Sequence, residues 1–297
     1  TIRMALGRLQ DDPDNESAWN ELTEALTAPD SNVSNDDVER LLGSARARHE
    51  AQREWHAVAK LLDIEIAFAS GSPVEAAMLA ELARVYSEEL YDGARANAAL
   101  KSLLKLKPDD EAATEALEAD EVKRGKWHEL VARYLAEAEG ATDDTFKSAL
   151  LATAAEAAFR YGGSEGQPQA MDLVEKALRL DRKNRKAASI AEVAFTNAQD
   201  WQAVARIQQT MLIDLTSKDE RVAAGLRLGH TCARKLNDPA RAIEAYQMVL
   251  DMQPGEHQAM SFLAEAFSAA EQWDALAALY EDQLKGGGVK PGEGLGM

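Results

Sequence analysis

Four of the chain's five tryptophans, Trp55, Trp127, Trp201 and Trp273, stand 72, 74 and 72 residues apart. A fixed long period requires each stretch of chain to build the same unit again, which excludes most globular folds. Other marks keep step. A small residue follows each of the first three tryptophans by 28 positions: Ala83, Ala155 and Gly229. A helix-opening position precedes each tryptophan by 19: Asp36, Pro108, Arg182 and Pro254. The two-residue excess of the middle unit falls between Ala155 and Ala170, where Gly162-Gly163 mark a turn. Insertions gathered in a turn, with constant spacing elsewhere, are expected of stacked helical hairpins.

Within each period the apolar residues recur at three- and four-residue intervals, as in Met78-Leu79-Leu82-Ala83-Val85-Tyr86, without strand-like alternation. Ser72-Pro73-Val74-Glu75 reads as a capping box with proline in the first turn, and Asp238-Pro239 as a cap followed by proline. Pro108 and Pro254 precede acidic first turns, where carboxylates favour the helix dipole. These signals predict helices over 73–88, 93–106, 109–123, 126–138, 145–161, 168–180, 184–197, 200–214, 219–235, 239–252, 256–269 and 272–285. Each period then holds four helices, or two hairpins. Residues 15–28 and 37–50 both read as first helices, so 36–69 is expected to be one long helix or to contain an inserted one, with no Gly or Pro near Arg53 to stop it.

Hairpins of this size resemble the tetratricopeptide repeat, and particular residues carry the likeness. Leu226-Arg227-Leu228-Gly229 places a leucine and a small residue as that family does, and Ala242-Ile243-Glu244-Ala245-Tyr246, Val249-Leu250 and Pro254 follow its later pattern. Leu9 to Trp19 resembles a junction between repeats. There are departures. Alternate hairpins open their second helix with tryptophan, Glu118 or Glu192 replaces the small residue there, and one extra residue separates Gly229 from Ala242. The resemblance implies an all-α, right-handed α-solenoid, a superhelix of stacked antiparallel hairpins over residues 2–285. The expected organisation is an irregular N-terminal part, 1–54, then double-repeat cassettes at 55–126, 127–200 and 201–272, a last helix at 273–285 and a flexible Gly-rich tail at 286–297. An array of this kind is expected to be a segment of a longer one, or to associate through its ends.

Composition narrows the function classes. The net charge of −18 repels phosphate backbones and anionic membranes and favours a basic partner, though it also serves simply to solubilise an exposed array. No apolar run approaches the roughly 20 residues that span a bilayer, so membrane insertion is not expected. The single cysteine, Cys232, excludes an internal disulfide and reads as a small buried hydrophobe. The histidines His49, His56, His128, His230 and His257 form no metal-ligand spacing, and no nucleophile motif occurs. Neither a catalytic residue, a metal nor a cofactor is therefore expected. A cytoplasmic location is the default, and a periplasmic one would carry the same residues.

The tryptophans, with Ala83, Ala155 and Gly229, are read as repeat core. The resemblance implies a concave groove lined by the first helices and holding a peptide or partner protein. Carried over by register, its wall is Glu81, Arg84, Glu88, Thr153, Glu156, Arg160, Arg227, His230 and Arg234, with the three later arginines making one half basic. Ordinary solvated helix faces are the alternative for these positions. The family's clamp for a terminal carboxylate lacks its asparagine here, since Glu156 and His230 stand in its place. The expected function is a non-catalytic protein-interaction scaffold. A self-assembling solenoid and a helical-repeat RNA binder are the alternatives, the latter opposed by the charge.

Overall fold

A computed structural model of the chain describes residues 1–27 and 35–285; the expected tail at 286–297 lies outside the described residues. Its described residues are all-α, and they pack as two units, Thr1–Leu9 with Pro13–Gln199, and Gln10–Asp12 with Asp200–Met297.

The first unit runs α1 (Ile2–Asp11), α2 (Glu16–Thr27), α3 (Asn35–Ala51), α4 (Trp55–Phe68), α5 (Glu75–Arg84), a π-helical turn at Val85–Glu89, α6 (Gly93–Leu106), α7 (Glu111–Gly125), α8 (Trp127–Gly140), α9 (Asp144–Tyr161), α10 (Gly163–Leu180) and α11 (Arg185–Asn197). From α3 onward each helix packs on the next, as a stack of hairpins must. Leu9, Leu22, Leu42 and Leu61 are fully buried in the core joining α1 to α4. The next core layer joins α4 to α6 through Val58, Leu62, Val85 and Leu90. Further along, the buried hydroxyl of Ser148 donates to the Ala177 carbonyl at 2.8 Å and accepts from Asn184 Nδ2 at 2.8 Å. Asn184 also caps α11, so one hydroxyl ties α9 and α10 to the start of the following helix.

The second unit holds α12 (Trp201–Asp214), α13 (Lys218–His230), a π-helical turn at Thr231–Lys235, α14 (Pro239–Met252), α15 (His257–Ala269) and α16 (Trp273–Lys285). One core cluster runs through Ala205, Leu212, Val222, Leu226, Tyr246 and Leu263. Gly229 is closely covered in it: a Cβ there would lie 2.6 Å from the Tyr246 ring, so any side chain must displace that ring. Cys232 is fully buried, as expected, and burial pushes its thiol pKa up.

Four departures from the expected helices have physical causes. Residues 36–69 break into α3 and α4 at Arg53, which adopts a left-handed φ of 58° without being glycine. The stop is held by the Glu54 N–H donating to the His49 carbonyl at 2.9 Å, and by His49 Nδ1 lying 2.5 Å from Glu54 Oε2. Gln199 and Glu271, each two residues before a tryptophan, are left-handed in the same way. Second, the capping box at Ser72 does not form. Helix α5 starts at Glu75, whose carboxylate accepts from the Gly71 N–H at 2.6 Å. Third, α10 begins at Gly163 rather than 168 and carries Pro168 inside it. Fourth, the extra residue between Gly229 and Ala242 is absorbed by the π turn, where the Leu236 N–H reaches five residues back to the Thr231 carbonyl at 3.0 Å. The same widening recurs at Val85–Glu89, with the Leu90 N–H on the Val85 carbonyl at 3.1 Å.

The tryptophans share a repeat position but not an environment. Trp127 is 7% exposed, Trp55 and Trp201 are half-buried, and Trp273 is 60% exposed. The expectation of a core tryptophan in every cassette therefore does not describe Trp273, because no described helix covers that face of α16.

Candidate functional site

The expected groove positions of the first unit lie on α5 and α9 at matching register, and two linked ion-pair groups are built from them. On α5, Arg84 Nη2 lies 2.7 Å from Glu81 Oε1. The adjoining π turn sets residues four and five positions along beside the same guanidinium, so Arg84 Nη1 is 3.5 Å from Glu88 and 3.4 Å from Glu89. Hydrogen bonding from Arg84 holds the Glu81 carboxyl below its ordinary pKa, and Arg84 is in turn held more firmly protonated. The guanidinium also sits over the Trp55 ring, 5.9 Å from its centroid.

On α9, Glu156 accepts from Arg160 at 3.5 Å and from Lys186 of α11 at 2.5 Å. The other end of Arg160 donates to the Ser87 hydroxyl of the first π turn. The Arg160 group is thus tied to the π turn that carries Glu88 and Glu89 of the Arg84 group. Tyr91 closes the same region, edge-on to Phe159 with ring centroids 6.3 Å apart and its hydroxyl 3.4 Å from Ser189 Oγ. Burial pushes its phenol pKa up, so it remains a neutral donor. Register reasoning missed Ser87, Glu89, Tyr91, Lys186 and Ser189. The available signal was the 13-residue spacing of Ala83 to Ala96, the same as that of Gly229 to Ala242, since the π turn that absorbs the surplus brings Glu89 within reach of Arg84.

The other expected positions divide. Thr153 turns its hydroxyl back onto the Ala149 carbonyl of its own helix at 2.9 Å. His230 is 7% exposed rather than a groove wall, with Nε2 3.0 Å from Asp12 Oδ1 in the second unit. Arg227 is half-buried and Arg234 exposed. The expected basic half also loses Arg160, whose charge is matched by Glu156. Among the structural positions, Ala83, Ala155 and Gly229 are all buried.

Elsewhere in the second unit, α14, α15 and α16 enclose a cleft of about 590 Å³ floored by Leu250, Leu263, Phe267 and Leu279 and edged by Asp251 and Asp282. Its lining contains no histidine, cysteine or hydroxyl side chain. Among the described residues, no helix is long and apolar enough to cross a membrane.

In the comparison with protein families, residues 259–292 match the tetratricopeptide repeat model. That stretch holds most of α15 and all of α16. No curated protein matches the chain.

Proposed function

We propose that this array of tetratricopeptide-like repeats, all-α across its described residues, is a non-catalytic scaffold that holds a peptide or partner protein against the first helices of its hairpins, since repeats of this kind generally mediate contact between proteins. The double-hairpin cassettes at 55–126, 127–200 and 201–272 would be its building units. The observation that carries this reading is the pair of ion-pair groups joined through the Arg160–Ser87 bond, because the Arg84–Glu88 pair recurs one cassette on as Glu156–Arg160 with the charges reversed. Such a band offers alternating acceptors and donors at fixed positions. Alternation of this kind selects a partner by pattern and excludes one of uniform charge.

The exposed positions Glu88 and Arg234 give the cleanest test, since neither supports the core. Native-lysate capture with the parent chain is compared with a Glu88→Lys/Arg234→Glu variant of unchanged melting temperature. A partner kept by the parent and lost by the variant supports the first-helix site. A partner held equally by both removes it.

A further inference from the structure

One helix inside the first unit is held differently from its counterpart a cassette later. Helix α7 opens Glu111-Ala112-Ala113-Thr114-Glu115-Ala116-Leu117, a run dominated by strong helix formers, so its local propensity is high. Its packing is sparse. Only Ala113 and Asp120 are buried along it, whereas α11, the equivalent helix, buries Ala187, Ala188, Ile190 and Ala191. Where α11 has Ile190 and Phe195, register gives α7 the exposed residues Ala116 and Glu121. A helix of about 15 residues is marginal in water without tertiary support.

Two contacts fasten α7. Near its start, Ala113 enters the layer formed by Ala76, Leu79 and Leu103 of α5 and α6. Toward its end, Asp120 Oδ2 accepts from Asn97 Nδ2 of α6 at 2.6 Å and from Arg124 of its own helix at 2.9 Å. Register places Met171 and Ala194 at the positions of Asn97 and Asp120 one cassette on, so this polar clasp stands where the next cassette has apolar residues. Contact between α7 and the helices α8 and α9 is slight, while α8 and α9 pack closely on each other. The corner between α5 and α6 reaches α9 without α7, through the Arg160–Ser87 bond and the edge-on Tyr91–Phe159 rings.

We propose that α7 is a separately opening flap of the first unit, which lifts from the Leu79–Leu103 layer while α5–α6 and α8–α9 stay folded and joined. Few buried apolar contacts and an exposed backbone place local opening well below global unfolding. Water replaces both partners of the Asn97–Asp120 bond when α7 lifts, so the clasp contributes less than buried apolar side chains would. None of the ion-pair band residues lies on α7, so the flap does not depend on that band's role.

The test is hydrogen exchange of the full chain, read by mass spectrometry on peptides covering α6, α7, α9 and α11 and corrected for intrinsic rates. In the parent, α7 amides should exchange about ten-fold or more faster than those of α11. Asp120→Ala, which leaves the Asn97 amide without its acceptor, should speed α7 about ten-fold again and leave α9 and α11 unchanged. Asn97→Met/Asp120→Ala installs the pair found one cassette on and should return α7 to the parent rate or below it. An α7 as slow as α11 in the parent overturns the flap by itself. Acceleration of all four helices together in Asp120→Ala overturns it as well, since α7 would then open only with the whole unit. A double variant as fast as the single one overturns the clasp's control of the opening.

Discussion

The junctions α9–α10 and α13–α14 hold equivalent places in the repeat and solve the same problem differently. Both must fit more residues between helices than the usual hairpin. After Gly229 the chain widens into a π turn, then reverses at Asn237 with φ 51° and restarts at the Asp238 cap, whose side chain accepts from Arg241 N–H at 3.1 Å. After Ala155 the helix stays α-helical to Tyr161 and reverses at Gly163 with φ 54°, and the surplus becomes an extra turn at the start of α10. The left-handed residue falls eight positions after the small residue in both, and Tyr91 with φ 52° does so after Ala83. The reversal is therefore the invariant of the repeat, and the surplus is stored on whichever side of it the local packing tolerates.

The largest effect should come from single deletions that probe where the surplus is stored. Removing Arg234 from the π turn lets the helix close into an ordinary α turn with its flanks unmoved. The expected shift in urea-unfolding stability is about 0.5 kcal/mol, the scale of a surface change. Removing Ala157 from α9 has no bulge to absorb it and rotates everything beyond it by about 100°. Loss of a cooperative transition is expected, since Ala158 and Phe159 leave the core. Equal outcomes for the two deletions would break the distinction between the junctions.

Gly229→Ala sharpens it next. The new methyl must displace the Tyr246 ring, which should cost about 1–3 kcal/mol by overpacking. Adding Tyr246→Val, the residue that register gives at Val174 beside Ala155, should restore much of the Gly229→Ala loss in a double-mutant cycle measured by urea denaturation. A smaller effect tests the shared reversal. A Cβ at Gly163 would meet nothing within 4 Å, so Gly163→Ala isolates the backbone strain, expected at about 1 kcal/mol, and Gly163→Asn should cost less than half of that.

The smallest effect is electrostatic and bears on the first π turn. Glu81 is held below its ordinary value of 4.5 by Arg84, so its contribution is present above that pH and is lost as pH falls through the lowered folded value. With both partners about one-third exposed, the difference between parent and Glu81→Gln should be about 0.5 kcal/mol at pH 7 and shrink progressively as pH falls below 4.5. A difference that does not shrink on acidification would assign the role of Glu81 to packing instead of charge.

Much of the helical layout was legible because it is written locally. Helix 239–252 follows from the Asp238 cap, the proline after it and a clear apolar period, and helix 93–106 from its apolar period, with the Asp92 cap supplied by the structure. The break at Arg53 was not, because a left-handed stop normally advertises itself with glycine and here is held by backbone bonding and the His49–Glu54 pair. The start of α10 was hidden by Pro168, which marks first turns elsewhere in the chain but sits inside this helix. At the candidate site, register named Arg84, Glu88, Glu156 and Arg160, since one period links them. It could not foresee that His230 meets a residue 218 positions away, for which no local pattern exists. Nor does register carry burial: Trp127 and Trp273 are the same letter in the same place, and the neighbouring helix decides which is wet.

The extra turn at the start of α10 carries an obligation of its own. It lies so close to the end of α9 that a Cβ on Gly166 would fall 2.1 Å from the Ala158 carbonyl oxygen, and one on Gly162 would fall 2.6 Å from the same atom. Insertion and glycines are thus coupled: the close approach leaves no room for a side chain at either position. In sequences descended with the longer junction, positions 162 and 166 should be held as glycine, while descendants that shed the two residues are freed to let both drift.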